Sequence, residues 1–317
     1  MTVVEARGLC KTFDNGVRAV RDLDLSVRRG EIFGFLGPNG AGKTTTVRLL
    51  NGTLTPSAGV SIVLGLASSD DRIRKRTSTL AELARMYENL SLRQNLLFFA
   101  RMYDLPAEQA DRRIRRQLER MGLWEKRDLK LGSFSTGMRK KAALARTLLH
   151  SPEVVFLDEP TGGLDPEAAR QVVTLIRELA EEEKVTVFMC THDLTLAEGI
   201  CDTFGFIAEG RLLSVGSGEE LIDATWKERK VRIRTLDRTH IVPFEKEEEI
   251  DALIRRVMDC GERVVEVRND RPSLEEIYFQ TVGRDRGGKP GEPDDRQDRG
   301  VWGRPVARQQ RSGREEP

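Results

Sequence analysis

The chain is short of cysteine and histidine, has no excess of either charge, and contains no long apolar run. Its four cysteines, Cys10, Cys190, Cys201 and Cys260, are widely spaced and form no CxxC pair. Such spacing offers neither a zinc site nor a disulfide framework, so free thiols in a reducing compartment are expected. Basic residues number 52 and acidic residues 51, a formal net charge of +1. That balance gives no reason to expect non-specific nucleic-acid binding. No segment approaches the roughly 20 consecutive apolar residues of a membrane span. The opening MTVVEARGLCKTF carries acid and base too early for a signal peptide. Any link to a membrane is therefore expected to run through a partner. No internal repeat is found.

What is present is a globular composition on the polar side, 38% hydrophobic and 32% charged, in 317 residues, enough for about two domains. VVEARGLCKTF and LDLSV read as antiparallel strands. EIFGFLG is a short apolar strand leading into GPNGAGK, TTTVRLLNG a helix, and GVSIVLG a further strand. LRQNLLFFARMYDL and EQADRRIRRQLERMGL read as helices, with Ile114, Leu118 and Met121 on one face. Then VVFLDEP, a helix from Pro166 to Glu183, VTVFMCTHD and FGFIAEGRLLSVG alternate strand and helix. That alternation predicts a parallel sheet with right-handed crossovers. Beyond Thr225, VRIRTL and THIVPF read as paired strands, EEEIDALIRRVMDCG as a helix and RVVEV as a strand. PSLEEIYFQTVG reads as a final helix, with Ser273 and Glu276 at capping-box spacing. The expected organisation is an α/β domain over residues 1–222 with a helical insert at about 83–135, a small α+β domain over 225–283, and a tail over 284–317. The tail is nearly all Arg, Asp, Glu, Gly and Pro and is expected to be disordered, with Trp302 either a docking residue or part of the solvated chain.

Gly37-Pro38-Asn39-Gly40-Ala41-Gly42-Lys43-Thr44 fits G-x-x-x-x-G-K-[ST] and sits between a strand and a helix. Glycines let successive backbone N–H groups turn toward phosphate oxygens in conformations a Cβ blocks. The helix N-terminus favours anions, Lys43 brings a positive charge to the β- and γ-phosphates, and the Thr44 hydroxyl is a Mg²⁺ ligand. The apolar strand Val154–Leu157 ends in Asp158-Glu159, carboxylates at the strand edge where ligands bind in such sheets. Asp158 is the candidate metal-side acid and Glu159 the group that polarises an attacking water. His192 closes the strand VTVFMCT, which is expected beside the acid-pair strand, near the γ-phosphate. His150 and His240 receive no role. FSTGMRKK, at Phe134–Lys141, reads locally as a Ser-capped helix start, again a ready anion site.

In their order, GPNGAGKTT, FSTGMRKK, VVFLDEPTGGLDP and CTHD resemble the ATPase subunit of ATP-binding cassette (ABC) transporters, over residues 3–220. The resemblance implies a phosphate-loop NTPase core, a mixed sheet with an N-terminal antiparallel part, plus a helical insert. It implies ATP and Mg²⁺ as cofactors. It assigns Gly37 to Thr45 to the phosphates and Mg²⁺, with Ser135, Thr136 and Gly137 as the signature that meets the γ-phosphate of ATP held by a second copy. Asp158 and Glu159 become metal ligand and base, Gly163-Leu164-Asp165 the loop that crosses between copies, and His192 the γ-phosphate switch. Phe13 falls where an aromatic ring stacks on adenine, with core packing as the competing expectation. The flanking sequences resemble the branch whose ATPase and permease are separate chains and which exports drugs, antibiotics or other hydrophobic compounds. A homodimer, held by an integral-membrane permease on the cytoplasmic face of the membrane, is the implied assembly, with no nucleic acid.

Two positions depart from the family pattern. Thr136 replaces a glycine in the signature, acceptable if only Ser135 and Gly137 closely approach phosphate. Glu82 stands where a glutamine is usual. Its carboxylate is a stronger Mg²⁺ ligand than an amide, while a surface helix glutamate is the alternative. Two other functions compete. A soluble ABC ATPase acting on ribosomes or nucleic acid would use the basic helix DRRIRRQLER, and a small-molecule kinase would need neither a signature nor dimerisation.

Overall fold

In the computed structural model, which describes residues 1–81, 86–226, 229–244 and 246–285, alternating and continuous apolar segments sort the strands into separate sheets. β1 (Thr2–Thr12) and β2 (Arg18–Arg28) alternate, burying Val4, Ala6 and Leu9 on one and Leu23, Leu25 and Val27 on the other. Strands of that kind pack one face and leave the other in water. β3 (Ile32–Leu36) is buried at every position and enters a different sheet. After α1 (Lys43–Leu50), β4 (Ala58–Val63) and β5 (Leu66–Ala67) complete an antiparallel sheet of order β2-β1-β4-β5.

β6 (Thr77–Leu80) is followed by the helices α2 (Leu92–Met102) and α3 (Ala107–Arg120), and then by α4 (Thr136–Thr147). Ser91 and Gln94 form a reciprocal capping box that starts α2. α3 buries Ala110, Ile114 and Leu118. Four of its arginines are paired with acids within the chain: Arg112 with Glu108, Arg115 with Glu119, Arg116 with Glu183, and Arg120 with both Glu178 and Glu183. β7 (Val154–Asp158), α5 (Pro166–Glu181), β8 (Thr186–Thr191), α6 (Leu194–Ile200), β9 (Thr203–Ala208) and β10 (Arg211–Gly216) follow. The second sheet has the order β10-β9-β3-β8-β7-β6. Its neighbours are parallel except β10, which returns antiparallel on β9, so the sheet is mixed as expected. Phe33, Phe35, Phe156 and Phe188 meet with centroids 5.2–5.7 Å apart for the pairs that include Phe188. They join β1 and β2 residues in one core, while Leu36, Leu80 and Leu157 join the insert helices and α5 in another.

α7 (Gly218–Thr225), capped reciprocally by Ser217 and Glu220, ends this body. β11 (Arg229–Thr235), β12 (Thr239–Phe244) and β13 (Val264–Asn269) form a separate antiparallel sheet of order β12-β11-β13. It encloses Val231, Ile233, Phe244 and Val257 beneath α8 (Glu248–Asp259). α9 (Leu274–Asp285) starts where Ser273 and Glu276 cap each other. It packs on the first body, not on the small sheet. Leu274, Ile277 and Tyr278 join the main core, Tyr278 edge-on to Phe206 at 5.4 Å. α8 already covers the inner face of the small sheet, whereas α6, α7 and β10 offer an apolar surface for α9. Arg284, the expected first residue of the tail, is still helical and donates to Thr225 O at 2.7 Å. The tail from 286, with Trp302, lies outside the described residues, as does Glu82. All four cysteines are free, Cys190 buried and Cys260 exposed. No helix among the described residues is long and apolar enough to cross a membrane.

Candidate active site

β3, β7 and β8 lie side by side in parallel, with Leu36 opposite Thr191 and Asp158 opposite Cys190. The loops that leave these strands therefore open on one edge, where open α/β sheets bind ligands. The loop after β3 is shaped by glycine. A Cβ on Gly37 would collide with the carbonyl of Ile207, and one on Gly42 with that of Ala19. Gly42 also has φ at 110° and caps α1, so the helix begins at the turn itself with its first N–H groups unpaired by a side chain. Pro38 is half-buried, Asn39 and Gly40 are exposed, Ala41 is buried and Thr45 half-buried.

Lys43 is only 6% exposed and folds back over the loop, donating from Nζ to Gly37 O at 2.6 Å and to Pro38 O at 3.2 Å. The Thr44 hydroxyl donates to Asp158 Oδ2 at 2.8 Å, and Asp158 itself is 4% exposed. Glu159 has a left-handed backbone, φ 48°. Its carboxylate lies 3.9 Å from Lys43 Nζ, accepts from Thr191 Oγ1 at 3.1 Å, and meets His192 Nδ1 at 2.7 Å. A carboxylate only accepts, so that contact places a proton on Nδ1. Thr191 was not among the sequence candidates. Its signal is a hydroxyl directly before His192 at the buried end of an apolar strand.

Ser135 caps α4, accepting from Met138 N at 3.3 Å, and both Ser135 and Thr136 are exposed. Thr136 Cγ2 and the position a Cβ would take on Gly163 are 3.9 Å apart, and Gly137 faces Leu164 and Ala168 in the same way. The signature thus rests on the loop that ends at Asp165, which caps α5 by accepting from Ala168 N at 2.9 Å. Phe13 follows β1 with 37% of its surface exposed. Lys11 Nζ lies 5.4 Å from its ring centroid.

Thr44, Asp158 and Glu159 offer hard oxygen donors at the phosphate loop. Among the described residues no group of three His, Cys, Asp or Glu side chains forms a complete metal cage. That donor set suits Mg²⁺, which keeps waters and takes phosphate oxygens alongside one or two carboxylates.

The ABC transporter family model matches residues 20–162. The chain is 38% identical over 214 residues to the bacitracin transport ATP-binding protein of Bacillus licheniformis, covering 67% of this chain and 69% of that one. It is also 38% identical over 222 residues to a probable multidrug ABC transporter ATP-binding protein of Escherichia coli, covering 69% of this chain and 38% of that longer protein. Among solved structures, cbiO1 from Clostridium perfringens, part of the ABC transporter complex cbiONQ, superposes with a TM-score of 0.64. That match is at 27% identity and covers 70% of this chain and 91% of the other.

Proposed function

The chain belongs to the ABC transporter family as an ATP-binding, ATP-hydrolysing subunit, and on that premise we propose that it drives export of a hydrophobic or drug-like compound through a separate integral-membrane permease. Export is supported by the bacitracin and multidrug roles in the names of its relatives. The observation that carries the hydrolytic part is the position of Glu159, aimed among Lys43, Thr191 and His192 beside the Thr44–Asp158 pair.

In this reading the backbone of Gly37–Thr45 wraps the phosphates, and Lys43 exchanges its loop carbonyls for the β- and γ-phosphates. Thr44 and Asp158 would hold Mg²⁺, with Glu82 as a further oxygen ligand, and the ion would supply charge neutralisation at the phosphates. Glu159 accepts a proton from the attacking water, and His192, oriented by Glu159, presents Nε2 toward the γ-phosphate. Phe13 gives the adenine a stacking face. Ser135–Gly137 of one copy close on ATP held by the other, and the Asp165 loop lies between them. The assembly is a homodimer, held peripherally on the cytoplasmic face by the permease.

The shared site is tested by ATPase rate per chain as a function of protein concentration. It is expected to rise and saturate; a constant specific activity down to the dilute limit would refute a site built from two copies. Recovery of a polytopic membrane protein with the tagged chain from membranes tests the export reading, and recovery of ribosomes in its place would favour the soluble alternative.

A further inference from the structure

Three consecutive cations, Arg139, Lys140 and Lys141, follow the exposed cap at Ser135, and each is tied to a different segment of its own chain. Arg139 donates to Phe134 O at 3.0 Å and Gly132 O at 2.9 Å and pairs with Glu88 at 2.8 Å. Lys141 hydrogen-bonds the Gln171 side chain on α5. Lys140 reaches the active site: its Nζ donates to the main-chain carbonyl of Glu159 at 2.6 Å.

That carbonyl belongs to the left-handed Glu159. Such a backbone in a non-glycine residue persists only where its surroundings hold it. Glu159 N donates to Cys190 O at 2.9 Å, fixing one side of the residue to β8. On the other side the carbonyl accepts from Gly162 N at 3.2 Å and from Lys140. Of these contacts, Lys140's is made from α4, the helix that begins at the signature cap. Five residues separate Ser135 from Lys140, about 7.5 Å of helix rise, so the two move as one rigid piece.

We propose that Lys140 is a positioning residue that couples the two ATP sites of the dimer. It registers engagement of its own Ser135–Gly137 with the partner's ATP and sets the aim of Glu159 at the ATP on its own phosphate loop. This rests on the reading that the signature meets the partner's nucleotide. An ammonium suits the task because its three donors rotate freely and can follow a moving carbonyl. The contact touches no residue from Gly37 to Thr45, so it acts on the hydrolytic step and leaves nucleotide affinity alone. Losing it frees the Glu159 peptide to turn its carboxylate away from Lys43, Thr191 and His192.

The test uses the full-length chain with Lys140→Met, which keeps the aliphatic stem and removes the donors, and Lys140→Arg, which restores a cation. A misaimed base predicts a loss in kcat of about 10- to 100-fold for Lys140→Met. Its KM for ATP and ATP binding to the dilute monomer stay within about twofold of wild type, the pattern of an interaction felt in the transition state. Coupled sites predict a sigmoidal dependence of rate on ATP in the wild type that becomes hyperbolic in Lys140→Met, and Lys140→Arg recovers most of both losses. If Lys140→Met unfolds, the same measurements are read on Lys140→Gln, whose amide is too short to span the gap. A wild-type kcat and sigmoidicity overturn the proposal, as does an equal fall in kcat and monomer ATP affinity, or an Arg variant no better than Met. Ser135→Ala run in parallel separates the premise: if it weakens ATP binding to the monomer, the two-copy site fails. If it acts only on hydrolysis while Lys140→Met is silent, the coupling alone fails.

Discussion

Glu159 sits at the tip of β7 with φ at 48°, and three side chains from two other segments converge on its carboxylate. Glu159→Gln keeps the shape and an acceptor oxygen but removes the base. Hydrolysis is expected to fall about 10²- to 10⁴-fold, the range of a general base, while equilibrium ATP binding holds. Single-turnover hydrolysis beside fluorescent-ATP titration checks it, and a loss in binding as large as the loss in rate would assign Glu159 to nucleotide affinity instead. The phosphate loop, the acid pair and His192 were legible in the sequence because their chemistry demands particular residue types in short contiguous strings. Thr191 and Lys140 were not, since their contacts to Glu159 join segments 32 and 19 residues apart. No local pattern marks a lysine whose partner is a distant backbone carbonyl.

At the scale of elements, α4 carries the signature cap at one end and runs toward His150 at the other. The His150 ring stacks on Tyr103 after α2, 3.8 Å between centroids, and its Nε2 bonds Thr77 O of β6 at 3.0 Å. Burial pushes the His150 pKa down and nearby Arg113 adds to that, while the Thr77 carbonyl opposes it. A base whose pKa is lowered by folding is held neutral. Its contribution is complete above the unfolded value of about 6.5 and is lost as pH falls below it, because the unfolded chain then binds the proton more readily. Thermal unfolding from pH 8 to about 5.5 is expected to show a falling Tm that His150→Phe flattens; equal slopes would remove His150 from the account. The sequence supplied no reason to single out this residue, because the stack needs α2, α4 and β6 already assembled. α9 shows the same division. Its helix and its Ser273–Glu276 cap were readable from local spacing, but its docking was not, since apolar residues at helical intervals fit either neighbouring body. Ile277 is fully packed in the main core, so Ile277→Ala should cost about 2–5 kcal/mol in the unfolding of that body. Urea unfolding followed by the loss of ATP binding measures it, and an undisturbed midpoint would place α9 with the small sheet.

For the whole molecule, the proposed reading makes the exposed Ser135–Thr136 cap and the cluster of buried Lys43 and Asp158 with half-buried Glu159 two half-sites on one chain. In that reading Ser135→Ala removes a hydrogen bond to a charged group, roughly 1.5–3 kcal/mol, or about 10- to 150-fold in the ATP-driven closure of two copies. Sedimentation with bound ATP reads the closure, and monomer ATP affinity is expected to hold. The α/β class was plain from the strand–helix alternation, and the capped signature was visible as a helix start. The signature's seat against Gly163 and Ala168 was not, because it depends on how α4 and α5 pack.

The return of α9 to the main body has one more consequence. Trp226 and Pro272 line the same cleft of about 200 Å³, and Asp270 N donates to Lys230 O at 2.8 Å, so the chain leaves for the three-stranded sheet and comes back beside its point of departure. The intervening segment is therefore a graft with adjacent ends. Replacing residues 227–271 with a bridge of about six glycines and serines, long enough for a gap of that kind, should leave α7 and α9 in register and ATP turnover intact. Soluble chain with wild-type ATPase activity is the expected product; aggregation would mean that the ATPase body leans on the sheet. The same junction would then accept an unrelated domain, giving a splice point at which the motor can be fused to another module without breaking its fold.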